Sequence, residues 1–219
     1  MTRHHRLTPF RIGGAVALAA LLVAMTLSTR FVTPDELASI GPEKFDPAQT
    51  AEDLFAKANQ TIPDAATPLP ELLAGLQKDV AETADDLKAS RPNDTTYLFP
   101  VRGTATVVAT QQQAVDITVD GVPETTPLSL ASGPSLNGAV LRDALGFSFG
   151  DASNQTTYQQ VGDQLKALVT DQVAQGTGGK LAPGTTLDFT GIVSVTDTGM
   201  PQPAAKPVQI QPLTVEVVR

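Results

Sequence analysis

Three strand-like segments, a helical insert and two further strand-like segments follow one another between residues 98 and 218, and this order restricts the fold more than any other feature. The first strand is read over Leu98 to Thr110. The second, Ala114 to Val119, alternates Val115, Ile117 and Val119 toward one face, as a half-buried strand must. The third is Thr126 to Ala131, the fourth Thr186 to Val195 and the fifth Val208 to Val218. In the fifth, Val208 and Ile210 share one parity while Leu213, Val215 and Val217 share the other. The pattern predicts a register slip at Pro212, as a β-bulge produces. Three strands, a helix and two strands is the element order of a small five-stranded OB-like β-barrel, here with its helical insert between strands 3 and 4. The predicted class is α+β, and a sandwich-like sheet of the same order is the alternative.

The insert holds the densest chemistry. From Gly133 to Leu165, Gly133, Pro134, Gly138, Gly146 and Gly150 punctuate the chain, with Phe147 and Phe149 as anchors. Its second half is read as a helix with Tyr158, Val161, Leu165, Leu168 and Val169 on one face. The candidate site residues are Arg142, Asp143, Asn154, Gln155 and Tyr158, with Arg102 on the first strand as a further member. Arg142 and Asp143, adjacent on a short helix or turn, point in different directions and are expected to serve two partners. Two readings are open. In the preferred one the group is a structural network; in the other it is a polar pocket for a hydroxylated ligand such as a sugar.

Upstream, no residue from Ile12 to Thr29 is charged. Such a run spans about 27 Å at 1.5 Å per residue, near the lower limit for crossing a bilayer. Arg3, Arg6 and Arg11 precede it, while Asp35 and Glu36 follow, which predicts a cytoplasmic N-terminus and an extracytoplasmic domain. A cleaved signal peptide is the competing reading; Ala24-Met25-Thr26 fits its small-x-small cleavage pattern only loosely. The expected organisation is an anchor over 1–30, a helical segment over 31–96 that tethers or packs on the domain, and the barrel domain over 97–219. Within the helical segment, Thr33-Pro34-Asp35-Glu36 and Asp46-Pro47-Ala48-Gln49 read as helix starts. The second of these helices is expected to reach about Gln60, before a proline-rich joint from Ile62 to Pro70. A further helix is read to about Ser90, with Leu69, Leu72, Leu73, Leu76, Val80 and Leu87 near one face and Arg91-Pro92 ending it.

Catalytic patterns fail one by one. Gly146-Phe147-Ser148-Phe149-Gly150 matches a nucleophile elbow, but the chain's two histidines, His4 and His5, precede the anchor and are expected on its far side. Gln175 to Lys180, QGTGGK, lacks a phosphate loop's first glycine and its magnesium-binding hydroxyl. Asp116 to Gly121, DITVDG, lacks the closing glutamate of a calcium loop. With no cysteine there is neither thiolate chemistry nor a zinc-thiolate centre. No enzyme, metal or cofactor is expected. All 23 acidic residues but only 11 of the 15 Lys and Arg lie after residue 30, so that part carries a net charge of −12, which disfavours nucleic acid.

FDPAQTAEDLF (Phe45 to Phe55), FPVRGTATVV (Phe99 to Val108), SGPSLNGAVLRDALGFSFGDASNQTTY (Ser132 to Tyr158), LDFTGIVSV (Leu187 to Val195) and QIQPLTVEV (Gln209 to Val217) occur in this order. Together they resemble the predicted bacterial periplasmic lipoproteins of unknown function, often encoded beside sugar ABC-transporter genes. The resemblance implies a similar small barrel and an extracytoplasmic location. It also implies a protein partner in a sugar transport system. A lipoprotein carries its lipid on a cysteine, which these residues lack, so the resemblance is not expected to extend to lipidation. The expected function is a membrane-anchored, non-enzymatic accessory or protein-interaction module, with a sugar-like small-ligand binder as the alternative. The residues leave the oligomeric state open.

Overall fold

The computed structural model describes residues 18–21, 23–25, 45–179, 181–197 and 207–218. The chain divides into two units, Met1–Lys44 and Phe45–Arg219. In the first, residues 18–21 and 23–25 are helical and exposed. Among the described residues no helix is long and apolar enough to cross a membrane. The remainder of the uncharged run, and the helix expected from Thr33, lie outside the described residues.

The second unit opens with α1 (Pro47–Ala65), whose first turn is fixed by its sequence. Asp46 Oδ1 accepts from the backbone N–H groups of Ala48 and Gln49, and Pro47 occupies the first position, where a missing N–H costs nothing. The helix passes Gln60 and includes Pro63, so the expected joint begins later than its prolines suggest. Ile62, 4% exposed, lies in the core and holds this last turn in place.

The single helix expected to run to Ser90 is instead α2 (Leu69–Leu76) and α3 (Val80–Asp86), followed by strand β2 (Ser90–Asn93). Asp79 supplies the break: its carboxylate accepts from Glu82 N–H at 2.8 Å and starts a new helix. Gly75 lets the two helices meet, because a Cβ there would lie 2.9 Å from the Thr83 side chain. The apolar stripe packs as expected, with Leu69 and Leu72 buried and Leu73, Leu76, Val80 and Leu87 lining the same core. Pro92 cannot continue a helix, and β2 pairs with the start of the next strand.

That strand, β3 (Thr96–Thr110), organises the unit. With β4 (Ala114–Val119), β5 (Leu128–Ala131), β6 (Thr186–Thr196) and β7 (Val208–Val217) it forms a closed ring in the order β3-β4-β5-β7-β6, with β6 pairing back to β3. The β5 and β7 strands are parallel and the other ring pairs antiparallel. The five expected strands are thus present. Two short ones were not expected: β1 (Thr67–Pro68) and β2 both line the edge of β3 that β4 leaves open. They are too short for a period-2 pattern to reveal.

The ring encloses one core, including Phe99, Val101, Val107, Leu130, Leu187 and Ile210. A second core lies between the ring and a helical layer of α1, α4 (Gly138–Ala144) and α5 (Gln155–Thr177), and includes Ala58, Leu98, Leu141, Val161, Leu165 and Ile192. The segment expected at 31–96 therefore shares, from residue 45 on, both cores with the strands.

The register slip near Pro212 is a bulge. Thr190 pairs with Thr214 and Gly191 with Pro212, which leaves Leu213 as the extra residue. Leu213 turns to the helical layer, while Ile210 and Val215 stay in the ring core. Helix α5 shields this strand: Gln172 Nε2 donates to Leu213 O at 3.0 Å, and a Cβ at Gly176 would lie 2.1 Å from Val215 O. Only glycine permits so close an approach.

Candidate functional site

Helix α4 begins where Asn137 Oδ1 accepts from Ala139 N–H, and it places Leu141 and Arg142 inward. Arg142 is 6% exposed, so each of its donors needs a partner. Nε donates to Asp143 Oδ1 at 2.9 Å and Nη2 lies 2.8 Å from the same oxygen. Nη1 donates to Tyr158 O at 2.9 Å. The guanidinium also lies over the Tyr158 ring, 3.5 Å from its centroid, and Tyr158 Oη donates to Asp143 Oδ1 at 3.1 Å. Neighbours expected to serve two partners instead serve each other, with Tyr158 as their common third member. Among the described residues no buried side-chain nitrogen or oxygen lacks a hydrogen-bond partner.

Aromatic rings extend this cluster outward. Phe147 stacks on Tyr158 at 6.1 Å, Phe149 meets it edge-on at 5.8 Å, and Phe45 approaches Phe147 at 6.4 Å. Phe149 is 54% exposed, on a 3-10 turn (Phe149–Asp151) whose ends Ser148 and Asp151 tie together. Asp151 Oδ2 accepts from both the N–H and the hydroxyl of Ser148 at 2.7 Å, and these bonds hold its carboxyl below its ordinary range. Ser148 and Asp151 thus form a capping box at this turn.

Burial first, and then the negative charge of Asp143, hold the Tyr158 phenol above its ordinary pKa of 10.0, while Arg142 pulls in the opposite direction. A raised pKa means that the folded state favours the neutral phenol. That contribution is complete below pH 10.0 and is lost as pH rises through the raised value. Tyr158→Phe is expected to cost about 1 kcal/mol at neutral pH by losing the bond to Asp143. It should also flatten the decline in unfolding free energy above pH 10.0, measured by denaturant titration at several alkaline pH values. Equal alkaline slopes for both proteins would contradict the assignment.

The other candidates do not converge on this cluster. Asn154 is the N-cap of α5: its Oδ1 accepts from Thr157 N–H, and Thr157 Oγ1 accepts from Asn154 N–H. Gln155 is exposed at the first position of α5, and Arg102 is exposed on the outer face of β3, opposite Thr190. Two residues that sequence reasoning missed bond the main chain in α4 and just after it, one of them at Asp143. Ser90 Oγ donates to Asp143 O at 3.1 Å, and Lys57 Nζ donates to Leu145 O at 3.3 Å. Their partners lie 53 and 88 positions away, beyond any local signal.

A small cleft between α4, α5 and β7, lined in part by Asn137, Leu141, Lys166 and Gln211, measures about 10 Å³, the space of a single water. Among the described residues no group of three or more His, Cys, Asp or Glu is placed to hold a metal. The glycines of QGTGGK end α5, with Gly178 and Gly179 at positive φ, and Lys180 lies outside the described residues. Asp120-Gly121 is a turn after β4, closed by Val122 N–H to Val119 O, with Gly121 at φ 85°. His4 and His5 lie outside the described residues.

The family model described as "Predicted periplasmic lipoprotein (DUF2291)" matches residues 17–211. The chain belongs to this family. The resemblance read from the ordered motifs is thereby borne out, and DUF2291 carries no assigned function, so membership places the chain with periplasmic proteins without naming an activity. Among solved structures, the DUF2291 chain is similar to an OB-fold protein from Thermotoga maritima, at 16% identity and a TM-score of 0.64. The match covers 80% of this chain and 100% of that one, and at such low identity it bears on the fold alone. No curated protein matches the chain.

Proposed function

We propose that this DUF2291 protein is a non-enzymatic extracytoplasmic accessory module that works by protein contact, held at the membrane by Ile12 to Thr29 and acting beside a sugar transport system. The ring of strands, on this reading a closed OB-like barrel, is the rigid body that presents the contact surface. The observation that carries the proposal is the self-pairing of the Arg142 cluster: Arg142, Asp143 and Tyr158 bond one another and the main chain, and among the described residues no buried side-chain nitrogen or oxygen lacks a hydrogen-bond partner. A cleft of about 10 Å³ holds no sugar ring. The net charge of −12 beyond residue 30 supports a protein partner over a nucleic acid.

The test has two arms. Thermal melts of the purified protein with a panel of mono- and disaccharides are expected to show no shift; saturable stabilisation by any sugar would replace this reading with that of a sugar-binding domain. Cross-linking in intact cells, with a photoreactive residue at the exposed Phe149, is expected to yield a species containing a sugar-transporter component. Absence of any cross-link there and at other exposed positions would overturn the partner assignment. N-terminal sequencing of the membrane fraction should find residues upstream of Ile12; a mature chain starting near Thr29 would refute the anchor.

A further inference from the structure

Asn137-Gly138 is the one Asn-Gly step in the chain, and the fold uses both residues at the start of α4, Asn137 against β7 and Gly138 against α5. Asn-Gly is the peptide step most prone to deamidation, because glycine offers no side chain to hinder attack by its own nitrogen. In that reaction Gly138 N bonds to Asn137 Cγ, the Cγ–Nδ2 bond breaks and ammonia leaves. Water then opens the cyclic imide at either carbonyl, giving aspartate or isoaspartate, and no other reactant is needed.

We infer that the α4–α5 seam is a latch on this reaction: Asn137 is inert while the seam is closed, and converts irreversibly once α4 lifts from α5. One close approach across the seam and three hydrogen bonds around the start of α4 hold the latch. Asn137 Oδ1 accepts from Ala139 N–H at 3.0 Å, which turns the side-chain carbonyl toward the helix. Asn137 N–H donates to Gln211 Oε1 at 2.9 Å, and Gln211 Nε2 donates in turn to Ser135 O at 3.2 Å. Gly138 is seated so tightly that a Cβ would lie 2.0 Å from Gly162 O, so the main chain cannot swing while α5 is in place. Together these keep Asn137 at ψ 97°, and closing the imide ring requires rotation about that bond.

The consequence runs one way. Isoaspartate inserts a methylene into the main chain between Asn137 and Gly138, and a lengthened backbone fits neither the cap nor the seat against Gly162. A converted molecule therefore cannot re-close α4, which also carries Arg142. The fold cannot escape the hazard by replacing the glycine, because any larger residue at 138 meets Gly162 O.

Peptide mass mapping tests the latch. The full-length protein, a synthetic peptide of residues 132–142 and the Leu141→Ala variant are incubated side by side at mildly alkaline pH, and the mass gain and isoaspartate at Asn137 are followed. Leu141 is buried at the seam, so its truncation loosens α4. The native protein is expected to convert on the order of a hundredfold more slowly than the peptide, with the variant recovering about tenfold of that protection. If Leu141→Ala does not fold, wild-type protein in urea below its unfolding transition serves instead, and its rate should rise with urea. Asn137→Ser keeps a capping oxygen but has no amide, and should show no gain in this peptide. A native rate equal to the peptide's, or a rate that neither Leu141→Ala nor urea changes, would overturn the inference.

Discussion

Replacing Arg142 by alanine is expected to lower the unfolding free energy by about 3 to 5 kcal/mol, a large part of the 5 to 15 kcal/mol typical of such a domain. The loss has three sources. Asp143 Oδ1 loses its charged partner, Tyr158 O loses its donor from Nη1, and the Tyr158 ring loses the guanidinium lying on it. The Asp143 side chain is 25% exposed, so water offsets part of the first loss and places the expected value toward the lower end of the range. Arg142→Lys retains the charge but not the fork that bonds Asp143 and Tyr158 together, and should fall between wild type and alanine. In a double-mutant cycle, Arg142→Ala and Asp143→Asn should cost clearly less together than the sum of their separate effects. A binding-site arginine would behave differently: its removal would leave the melting temperature unchanged or raise it. Denaturant titration of the five proteins decides between these outcomes.

Gly138→Val is expected to cost about 3 kcal/mol or more, for a reason that residue type alone does not reveal. In an isolated helix almost any residue improves on glycine, by up to about 1 kcal/mol for alanine. Here the new Cβ would lie 2.0 Å from Gly162 O and 2.5 Å from Lys166 N, both of them main-chain atoms of α5 that no rotamer change can move aside. The helices would have to separate, opening the core around Leu141, Val161 and Leu165. Gly146→Ala makes a useful contrast. No atom lies within 4 Å of its Cβ, and its φ of 77° alone disfavours the substitution, so a cost of about 1 kcal/mol is expected. Thermal and denaturant melts that rank the two variants the other way would refute the close-approach argument.

How far the candidate site was legible in sequence depended on distance along the chain. Asn154, read as a possible partner of Arg142 and Asp143, instead caps the helix that follows it, with Thr157 three residues on. Arg142, Asp143 and Tyr158 stood out because one turn and one helix separate them, yet whether they formed a pocket or satisfied one another was undetermined. Sequence spacing carries no information about the side-chain directions that decide it. Arg102 entered as a cation of matching type, but β3 turns it to the outer face, away from the insert. Ser90, which reaches Asp143, and Lys57, which reaches Leu145 at the end of α4, carried no signal because their contacts span 53 and 88 positions.

By itself the sequence determined the order of the five ring strands and the helical insert, the slip beside Pro212 and the helix start at Asp46. Each rests on local rules: side-chain alternation, proline's missing N–H, and a capping oxygen within three residues. Only the tertiary structure decided how the ring closes, where the long helix breaks in two and what lies against Arg142. Ring closure depends on β3 meeting β6 across some eighty residues. Asp79 had the chemistry of a cap, but the apolar stripe continued past it, and its bond to Glu82 together with the fit of Gly75 against Thr83 favours two helices over one. The Arg142 cluster closes on itself because α4 and α5 are drawn together by the core beneath them, and the glycines at 138 and 162 set how near they come.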